Sequence, residues 1–301
     1  MYAAINGTKI FFDVNGKEYV PQGSVLRRRP VCFVLHGGPG CDHSDYLPAL
    51  DPLLDLMQLI YIDYRGNGRS LDADPSADPS NFTLEQNVSD IEALRRYLGL
   101  EKIVLLGQSY GGMAAISYAV QYPQNVAALV LITTASDYRF LERAKTRLAA
   151  IGSKQQIEMA DAYLWHGKFP DNTAYKKFFR VFANLYAAQS CDMNAFNDAL
   201  EREIVSYKAC NMAFSHDLPS YNCTGGLQYV RAPALVIGGA LDWICPIECS
   251  YEIAAALPKS KLTVLEKSSH SVFNDQYSET ITAIKNFIED LIRADPCAMC
   301  L

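Results

Sequence analysis

Short apolar runs recur along the chain and alternate with segments of helical periodicity. Continuous apolar runs without a polar face are typical of parallel strands that are buried on both sides. Such runs predict strands at residues 31–35, 59–62, 102–106, 126–132, 234–238 and 262–265, after an N-terminal strand at 9–14.

Helical signals fill the intervals between the predicted strands. Thr83 and Gln86 form a capping box before an apolar periodicity that ends at Gly99. Another helix follows Ser109 and stops before Pro123, and the last covers residues 279–293. The alternation of strands and helices indicates an α/β fold, in which helices flank a mostly parallel central sheet.

The pattern changes between residues 136 and 230. This stretch contains long helical segments rich in Ala, Tyr, Phe and charged residues, and no convincing β run. A chain of 301 residues is long enough for one α/β core that carries an insertion. We therefore expect a core formed by residues 1–135 and 231–301, with residues 136–230 inserted as an α-helical cap, or lid.

Composition and charge argue against several classes of partner. The formal net charge of −6 provides no basic surface for nucleic acid. The N-terminus lacks the features of a secretory signal, and no window of 18 uninterrupted apolar residues suggests a membrane span. Nine cysteines, an odd number spread along the chain, suit a reducing compartment. These features predict a cytoplasmic protein without a membrane partner, and they leave the oligomeric state open.

Two pairs of cysteines have spacings that raise the question of a metal site. Cys245 and Cys249 are four positions apart, and Cys297 and Cys300 form a C-x-x-C near the end of the chain. A structural zinc ion takes four ligands, and no nearby histidines complete either pair. We therefore expect no metal site.

The strongest chemical signal lies at residues 102–112, which read Lys-Ile-Val-Leu-Leu-Gly-Gln-Ser-Tyr-Gly-Gly. An apolar strand here enters Gly-x-Ser-x-Gly and then a helix, which is the context that a nucleophile elbow requires. The turn is so tight that glycines must flank the serine. Ser109 is therefore the predicted nucleophile.

A serine needs a base to accept its proton, and in folds with this elbow the order along the chain is Ser, then Asp or Glu, then His. Asp242 follows the strand predicted at 234–238, and His270 follows the strand predicted at 262–265. Both come at the carboxyl ends of parallel strands, where open α/β sheets place their sites. The sequence predicts His270 as the base and Asp242 as the acid that orients it. Asp137, after the strand at 126–132, is the alternative acid.

Backbone donors for an oxyanion can also be proposed. Residues 36–40, His-Gly-Gly-Pro-Gly, form a glycine-rich loop after a strand, and Gly38 is the expected donor in it. Tyr110, directly after the predicted nucleophile, would supply the second N–H. A phosphate-binding loop is the less favoured interpretation, because no Gly-Lys-Ser/Thr follows the glycines.

Four motifs together resemble the proline iminopeptidase (prolyl aminopeptidase) family of α/β hydrolases. They are His-Gly-Gly-Pro-Gly at 36–40, Asp-Tyr-Arg-Gly-Asn-Gly-Arg-Ser at 63–70, Gly-Gln-Ser-Tyr-Gly-Gly at 107–112 and Asp-Trp-Ile-Cys-Pro at 242–246. The sequence departs from the usual pattern at four positions: Tyr64 replaces a glutamine, Tyr110 a tryptophan, and Ser268-Ser269 an alanine-glycine pair.

The resemblance implies a helical cap over the serine, no metal or organic cofactor, and release of N-terminal proline or a similar residue from short peptides or amides. Family members hold the free α-amino group with carboxylates of the cap, for which Glu201 and Glu203 are the nearest candidates. These two lie on different faces of a helical stretch, so we expect at most one to face the pocket. The alternatives are an esterase or lactonase acting on a small non-peptide substrate, and a ligand-binding receptor that retains the triad.

Overall fold

A computed structural model describes residues 1–73, 78–188 and 192–294 of the chain. Its strands are β1 (Tyr2–Ile5), β2 (Thr8–Asn15), β3 (Tyr19–Gln22), β4 (Val25–Arg28), β5 (Val31–Leu35), β6 (Gln58–Ile62), β7 (Ile103–Gln108), β8 (Val126–Ile132), β9 (Ala234–Gly239) and β10 (Ser260–Leu265). Each strand predicted from an apolar run is present, with bounds that differ by a few residues at most.

Eight of these strands form one sheet in the order β1-β2-β6-β5-β7-β8-β9-β10. The six strands from β6 to β10 in this order pair in parallel, whereas β1 and β2 pair antiparallel at one edge. Strands β3 and β4 form a separate hairpin. The prediction of a mostly parallel α/β sheet is confirmed, and the short strands β1, β3 and β4 are additions to it.

The helices are α1 (Gly68–Ala73), α2 (Leu84–Tyr97), α3 (Tyr110–Gln121), α4 (Arg139–Ile151), α5 (Lys154–Met159), α6 (Asn172–Tyr186), α7 (Met193–Arg202), α8 (Tyr207–Met212), α9 (Thr224–Leu227), α10 (Ile247–Ala256), α11 (Val272–Asp275) and α12 (Tyr277–Ala294). Thr83 caps α2 as predicted, since its side chain accepts a hydrogen bond from the Gln86 N–H at 3.2 Å. Within the described ranges, no helix is both long and apolar enough to cross a membrane.

Alternate side chains of the central strands divide between two buried cores. Phe33 and Leu35 of β5 belong to the core that includes residues of α2, α3 and α10. Cys32 and Val34 belong to the opposite core, which includes residues of α12. Helices therefore cover both faces of the sheet, as the continuous apolar strands require.

Between β8 and β9, the described part of the chain is helical, from α4 to α9. Its strand-like pairing is limited to an isolated bridge between Asp137 and Asn222. Parts of this segment touch the loop that follows β5: the Ser206 N–H donates to the Gly40 carbonyl at 2.7 Å. The segment thus lies against the carboxyl end of the central strands, where the predicted site residues are found.

Candidate active site

Ser109 occupies a strained turn between β7 and α3. Its backbone has φ 55° and ψ −121°, a conformation that residues with a side chain rarely adopt. The Ser109 N–H donates to the Ile132 carbonyl at 2.9 Å, and its own carbonyl accepts from the Thr134 hydroxyl at 2.6 Å. Contacts from the neighbouring strand β8 and the residues after it therefore hold the strained turn in place.

Neighbouring atoms approach the glycines around the turn so closely that a side chain would not fit at these positions. A Cβ on Gly107 would overlap the Gly111 carbonyl, and a Cβ on Gly111 would overlap the carbonyl of Leu35 in β5. A Cβ on Gly112 would lie 2.5 Å from that of Thr134. The Gly-x-Ser-x-Gly-Gly spacing is thus what allows α3 to start directly over the strands.

His270 and Asp242 form a buried pair. The His270 Nδ1 lies 2.8 Å from Asp242 Oδ2, and Asp242 Oδ1 accepts from the N–H groups of Ile244 and Cys245 at 2.9 and 3.0 Å. Asp242 has no exposed surface. Because an ionised carboxylate can only accept, the shared proton belongs on Nδ1, which leaves Nε2 as the basic nitrogen of a neutral ring.

Asp137, the alternative acid, has other partners. Its Oδ2 lies 2.6 Å from the Arg139 guanidinium and accepts from the Thr224 hydroxyl at 2.9 Å. Burial alone would raise the pKa of Asp137, but the hydrogen bonds from Arg139 and Thr224 outweigh it and hold that pKa below its ordinary value. The structure therefore pairs Asp242, and not Asp137, with the histidine.

The residue before Ser109 also reaches His270, a contact that the sequence did not suggest. The Gln108 amide nitrogen donates to the His270 carbonyl at 2.9 Å, and the Thr133 hydroxyl donates to the same carbonyl at 3.3 Å. These hydrogen bonds connect the backbone at His270 to the carboxyl ends of β7 and β8.

The loop after β5 runs against the serine turn. A Cβ on Gly37 would lie 3.3 Å from that of Ser109. Gly38 has φ 101°, and a Cβ on it would overlap the Cys41 Sγ, so only glycine fits there. Tyr110 is the first residue of α3, and the N–H groups in the first turn of a helix have no partner within it. Both predicted oxyanion donors therefore come from backbone next to Ser109.

A buried polar network joins the motif at 63–70 to the residues that follow this loop. The Asp63 carboxylate accepts from both the backbone N–H and the Nδ1 of His43, at 3.0 and 2.7 Å, and from the Arg69 N–H at 2.8 Å. Burial would raise the pKa of Asp63, but its hydrogen bond with His43 and the neighbouring charges lower it below the ordinary value. Asp63 thus joins the motif at 63–70 to His43, three residues after the glycine-rich loop.

Two of the departures from the family pattern are in contact with each other. The rings of Tyr64 and Tyr110 meet edge to face with centroids 5.9 Å apart, and Tyr64 also packs on His36 at 4.4 Å. The Tyr110 hydroxyl accepts from the Asn87 amide at 3.1 Å. The tyrosine at 110 therefore directs its side chain towards α2.

A single cavity of about 720 Å³ brings Ser109, His270 and Gly38 together. Most of the surrounding side chains are apolar or aromatic, including Leu164, Tyr175, Phe178, Phe179, Tyr186, Phe214, Ile244 and Phe273. Many of them belong to the helical segment between β8 and β9. The cavity is thus a mixed site, in which the strand ends supply Ser109 and His270 and the helical segment supplies most of these apolar side chains together with Arg202 and Glu203.

Glu203 is the candidate cap carboxylate that reaches this cavity. It lines the cavity wall and is 5% exposed, and its Oε1 accepts from the Asp42 N–H at 3.4 Å. Burial and the negative charge of Asp45 raise the pKa of Glu203 well above its ordinary value. A positively charged group in the cavity would stabilise the ionised form of this carboxyl.

Asp45 is a second acid on the cavity wall, and the sequence did not single it out. The side chain of Asp45 is exposed to solvent, and its charged neighbours are Asp42 and Arg202. The only sequence signal for Asp45 as a cavity residue was its position shortly after the glycine-rich loop at residues 36–40.

Glu201 is not brought to the cavity. Its carboxylate pairs with Arg180 and with Lys176, the latter at 3.7 Å, and its side chain is 63% exposed.

The two cysteine pairs were considered above as possible metal ligands. Cys245 and Cys249 are buried free thiols, whereas Cys297 and Cys300 lie outside the described residues.

Comparisons with known proteins agree with this geometry. The profile of the α/β-hydrolase fold family matches residues 30–277. Proline iminopeptidase PfmaB of Pestalotiopsis fici is 30% identical over 295 residues, which cover 96% of this chain and 99% of that protein.

Solved structures of similar fold include both a proline iminopeptidase and an esterase. The proline iminopeptidase of Mycobacterium smegmatis has a TM-score of 0.76 at 20% identity, covering 98% of this chain and 99% of its own. An esterase from Exiguobacterium antarcticum has a TM-score of 0.72 at 21% identity, covering 95% and 97%. At these low identities the two structures support the fold alone, whereas the 30% identity to PfmaB supports assignment to the proline iminopeptidases. The chain belongs to the α/β-hydrolase fold family and, within it, to the proline iminopeptidases.

Proposed function

We propose that this protein is a serine aminopeptidase that releases N-terminal proline, or a similar small residue, from short peptides or amides. The observation that carries the proposal is the buried carboxyl of Glu203 in the cavity that also contains Ser109 and His270. In this proposal, residues 136–230 form the cap, and residues 1–135 and 231–301 form the core.

The reaction proceeds through an acyl-enzyme. Ser109 Oγ attacks the substrate carbonyl carbon while His270 Nε2 takes the hydroxyl proton, and Asp242 stabilises the imidazolium through Nδ1. The N–H groups of Gly38 and Tyr110 bind the oxyanion. His270 then gives the proton to the leaving amine. Water attacks the resulting ester with its proton passing to His270, and the acyl group leaves as the free amino acid while Ser109 regains its proton.

Substrate selection depends on the amine. An ammonium group that enters an apolar cavity without a partner is strongly penalised, so a carboxylate must face it. Glu203 supplies that charge from the cap, and Asp45 supplies a second from the core. A bound ammonium favours the ionised form of Glu203 and so opposes the burial that raises the pKa of this carboxyl.

The second candidate function is hydrolysis of a small ester or lactone. The aromatic and aliphatic side chains of the cavity wall favour it, because this part of the wall would accept an uncharged acyl group equally well. Such a substrate would leave the carboxyl of Glu203 without a charged partner, which is why the aminopeptidase is preferred.

The two functions are separated by comparing free and N-acetylated proline arylamide on the wild type, Glu203→Gln and Glu201→Gln. We expect the wild type to cleave the free amine only. Glu203→Gln should lower its kcat/KM on the order of 10- to 100-fold, as loss of a buried charge partner implies, and Glu201→Gln should change it little. Equal rates on both arylamides, or rapid cleavage of esters or lactones alone, would leave the second candidate.

A further inference from the structure

The carbonyls of the loop at residues 36–40 are bound by groups from the helical segment above it. The Tyr175 hydroxyl, carried by α6, lies 2.7 Å from the Gly38 carbonyl oxygen and 2.7 Å from that of Pro39. The next carbonyl, that of Gly40, accepts from the Ser206 N–H at 2.7 Å. Three consecutive peptide groups of the loop are therefore held from the cap side.

The loop needs this support because of its own sequence. Gly38 must be glycine at its φ of 101°, but a glycine has little intrinsic preference for one backbone conformation over another. The direction of its N–H then depends on what binds the neighbouring peptide groups. The Tyr175 hydroxyl shares its one proton between the carbonyls of Gly38 and Pro39, so it restrains the two peptide groups that directly follow the Gly38 N–H in the chain. The peptide group that carries this N–H has its carbonyl, that of Gly37, 2.9 Å from His36 Nδ1.

Tyr175 is well placed to act as a fixed donor. It is 1% exposed, and its ring packs edge to face against Phe169 and Phe179, with centroids 5.2 and 5.0 Å away. Burial, with smaller contributions from Cys41 and Cys210, raises the pKa of Tyr175 well above its ordinary value, so the hydroxyl keeps its proton. Its oxygen lies 3.6 Å from the Cys41 Sγ, whose thiol can donate to it.

We propose that Tyr175 is a positioning residue, which holds the oxyanion loop from the cap so that the Gly38 N–H meets the developing negative charge. This inference rests on the proposed function. It makes the cap part of the catalytic apparatus as well as the substrate pocket, since the oxyanion site is complete only when α6 is seated on the loop.

The test is Tyr175→Phe, which keeps the ring and removes only the hydroxyl. The matched control is Tyr163→Phe. The Tyr163 ring packs on the same Phe169 ring, with centroids 5.6 Å apart, and Tyr163 does not belong to the described residues that line the cavity. Four quantities are measured: kcat and KM for proline arylamide, the inhibition constant of proline boronic acid, which forms a tetrahedral adduct, and that of pyrrolidine, which has no carbonyl. Thermal unfolding of each variant is followed, and assays are run well below the lower midpoint.

Removing one oxyanion donor lowers kcat by about 10²–10³, and a misplaced donor loses part of that. We therefore expect Tyr175→Phe to lower kcat about 10-fold or more, to weaken the boronic acid by a similar factor, and to leave KM and pyrrolidine binding within about twofold. Tyr163→Phe should resemble the wild type throughout.

Two results would overturn the inference. An unchanged kcat would show that the hydroxyl does not position the loop. Parallel weakening of pyrrolidine, boronic acid and KM would show that Tyr175 shapes the pocket and not the oxyanion site. Ser109→Ala distinguishes these from failure of the proposed function: if that variant keeps its activity, the acyl-enzyme mechanism is wrong whatever Tyr175→Phe does.

Discussion

Single residues of the same type have different roles here because of their surroundings. Glu201 lies in the last turn of α7 and Glu203 directly follows the helix, yet Glu201 is paired with cations at the surface and Glu203 is buried in the cavity. Burial and the negative charge of Asp45 raise the pKa of Glu203 well above its ordinary value. The sequence predicted that at most one of the two would face the pocket, because side chains two residues apart in a helix point to different faces.

A consequence for stability follows from the raised pKa of Glu203. Above the ordinary glutamate value of about 4.3, the unfolded chain loses this proton while the native protein still holds it. The native state then binds more protons than the unfolded state, so the contribution of Glu203 to stability is lost as pH rises. Glutamine at this position does not titrate and escapes the loss.

We therefore predict that Glu203→Gln gains stability relative to the wild type as pH rises from about 4 to 8. The difference in the free energy of unfolding between the two proteins is measured by urea denaturation across that range. The exposed Glu201→Gln is the control and should show no comparable gain. A difference that is independent of pH, or that shrinks as pH rises, would be inconsistent with the buried carboxyl.

At the scale of elements, the strand, turn and helix that carry Ser109 were predictable because their signals are local. An apolar run, a glycine spacing and a helical periodicity lie next to each other in the sequence, and β7 and α3 form where they predict. The short strands β1, β3 and β4 were missed, since each is only four residues long and lies outside the parallel part of the main sheet. The N-terminal strand β2 was recognised by its longer pattern.

The close approach of α3 to β5 can be tested at Gly111. A Cβ there would overlap the Leu35 carbonyl, so Gly111→Ala forces backbone apart, and we expect a loss of about 1–3 kcal/mol of stability together with most of the activity. Gly225→Ala is the control, because a Cβ there meets no atom within 4 Å, and it should change stability by no more than about 1 kcal/mol. Equal unfolding midpoints in urea for the two variants would contradict this packing.

At the scale of the whole molecule, the site is assembled from segments far apart in sequence. The Asp217 carboxylate of the proposed cap accepts from the Leu84 N–H of α2 at 2.7 Å, and Arg143 of α4 pairs with Glu252 of α10 at 3.0 Å. With Ser206 on Gly40, these contacts join the helical segment to the core on several sides. Glu203 reaches the cavity because the segment is docked in this way.

The long-range contacts explain why the site was only partly predictable. Motif order along the chain was enough to choose Ser109, Asp242 and His270. By contrast, the roles inferred for Asp45 and Tyr175 depend on how the helical segment sits on the loop after β5, and neither residue is part of a sequence motif. The apolar wall could not be assigned either, because aromatic residues in a helical segment more often pack into a core than line a cavity.

The central claim is that Ser109 attacks substrates whose free amine is bound in the cavity by Glu203. The most direct measurement is the rate and position of labelling by the diphenyl ester of pyrrolidine-2-phosphonate, compared with its N-acetylated form and followed by peptide mapping. We predict a covalent adduct on Ser109 that forms on the order of 10- to 100-fold faster with the free amine than with the acetylated reagent. Labelling of another residue, or equal rates with both reagents, would contradict the account.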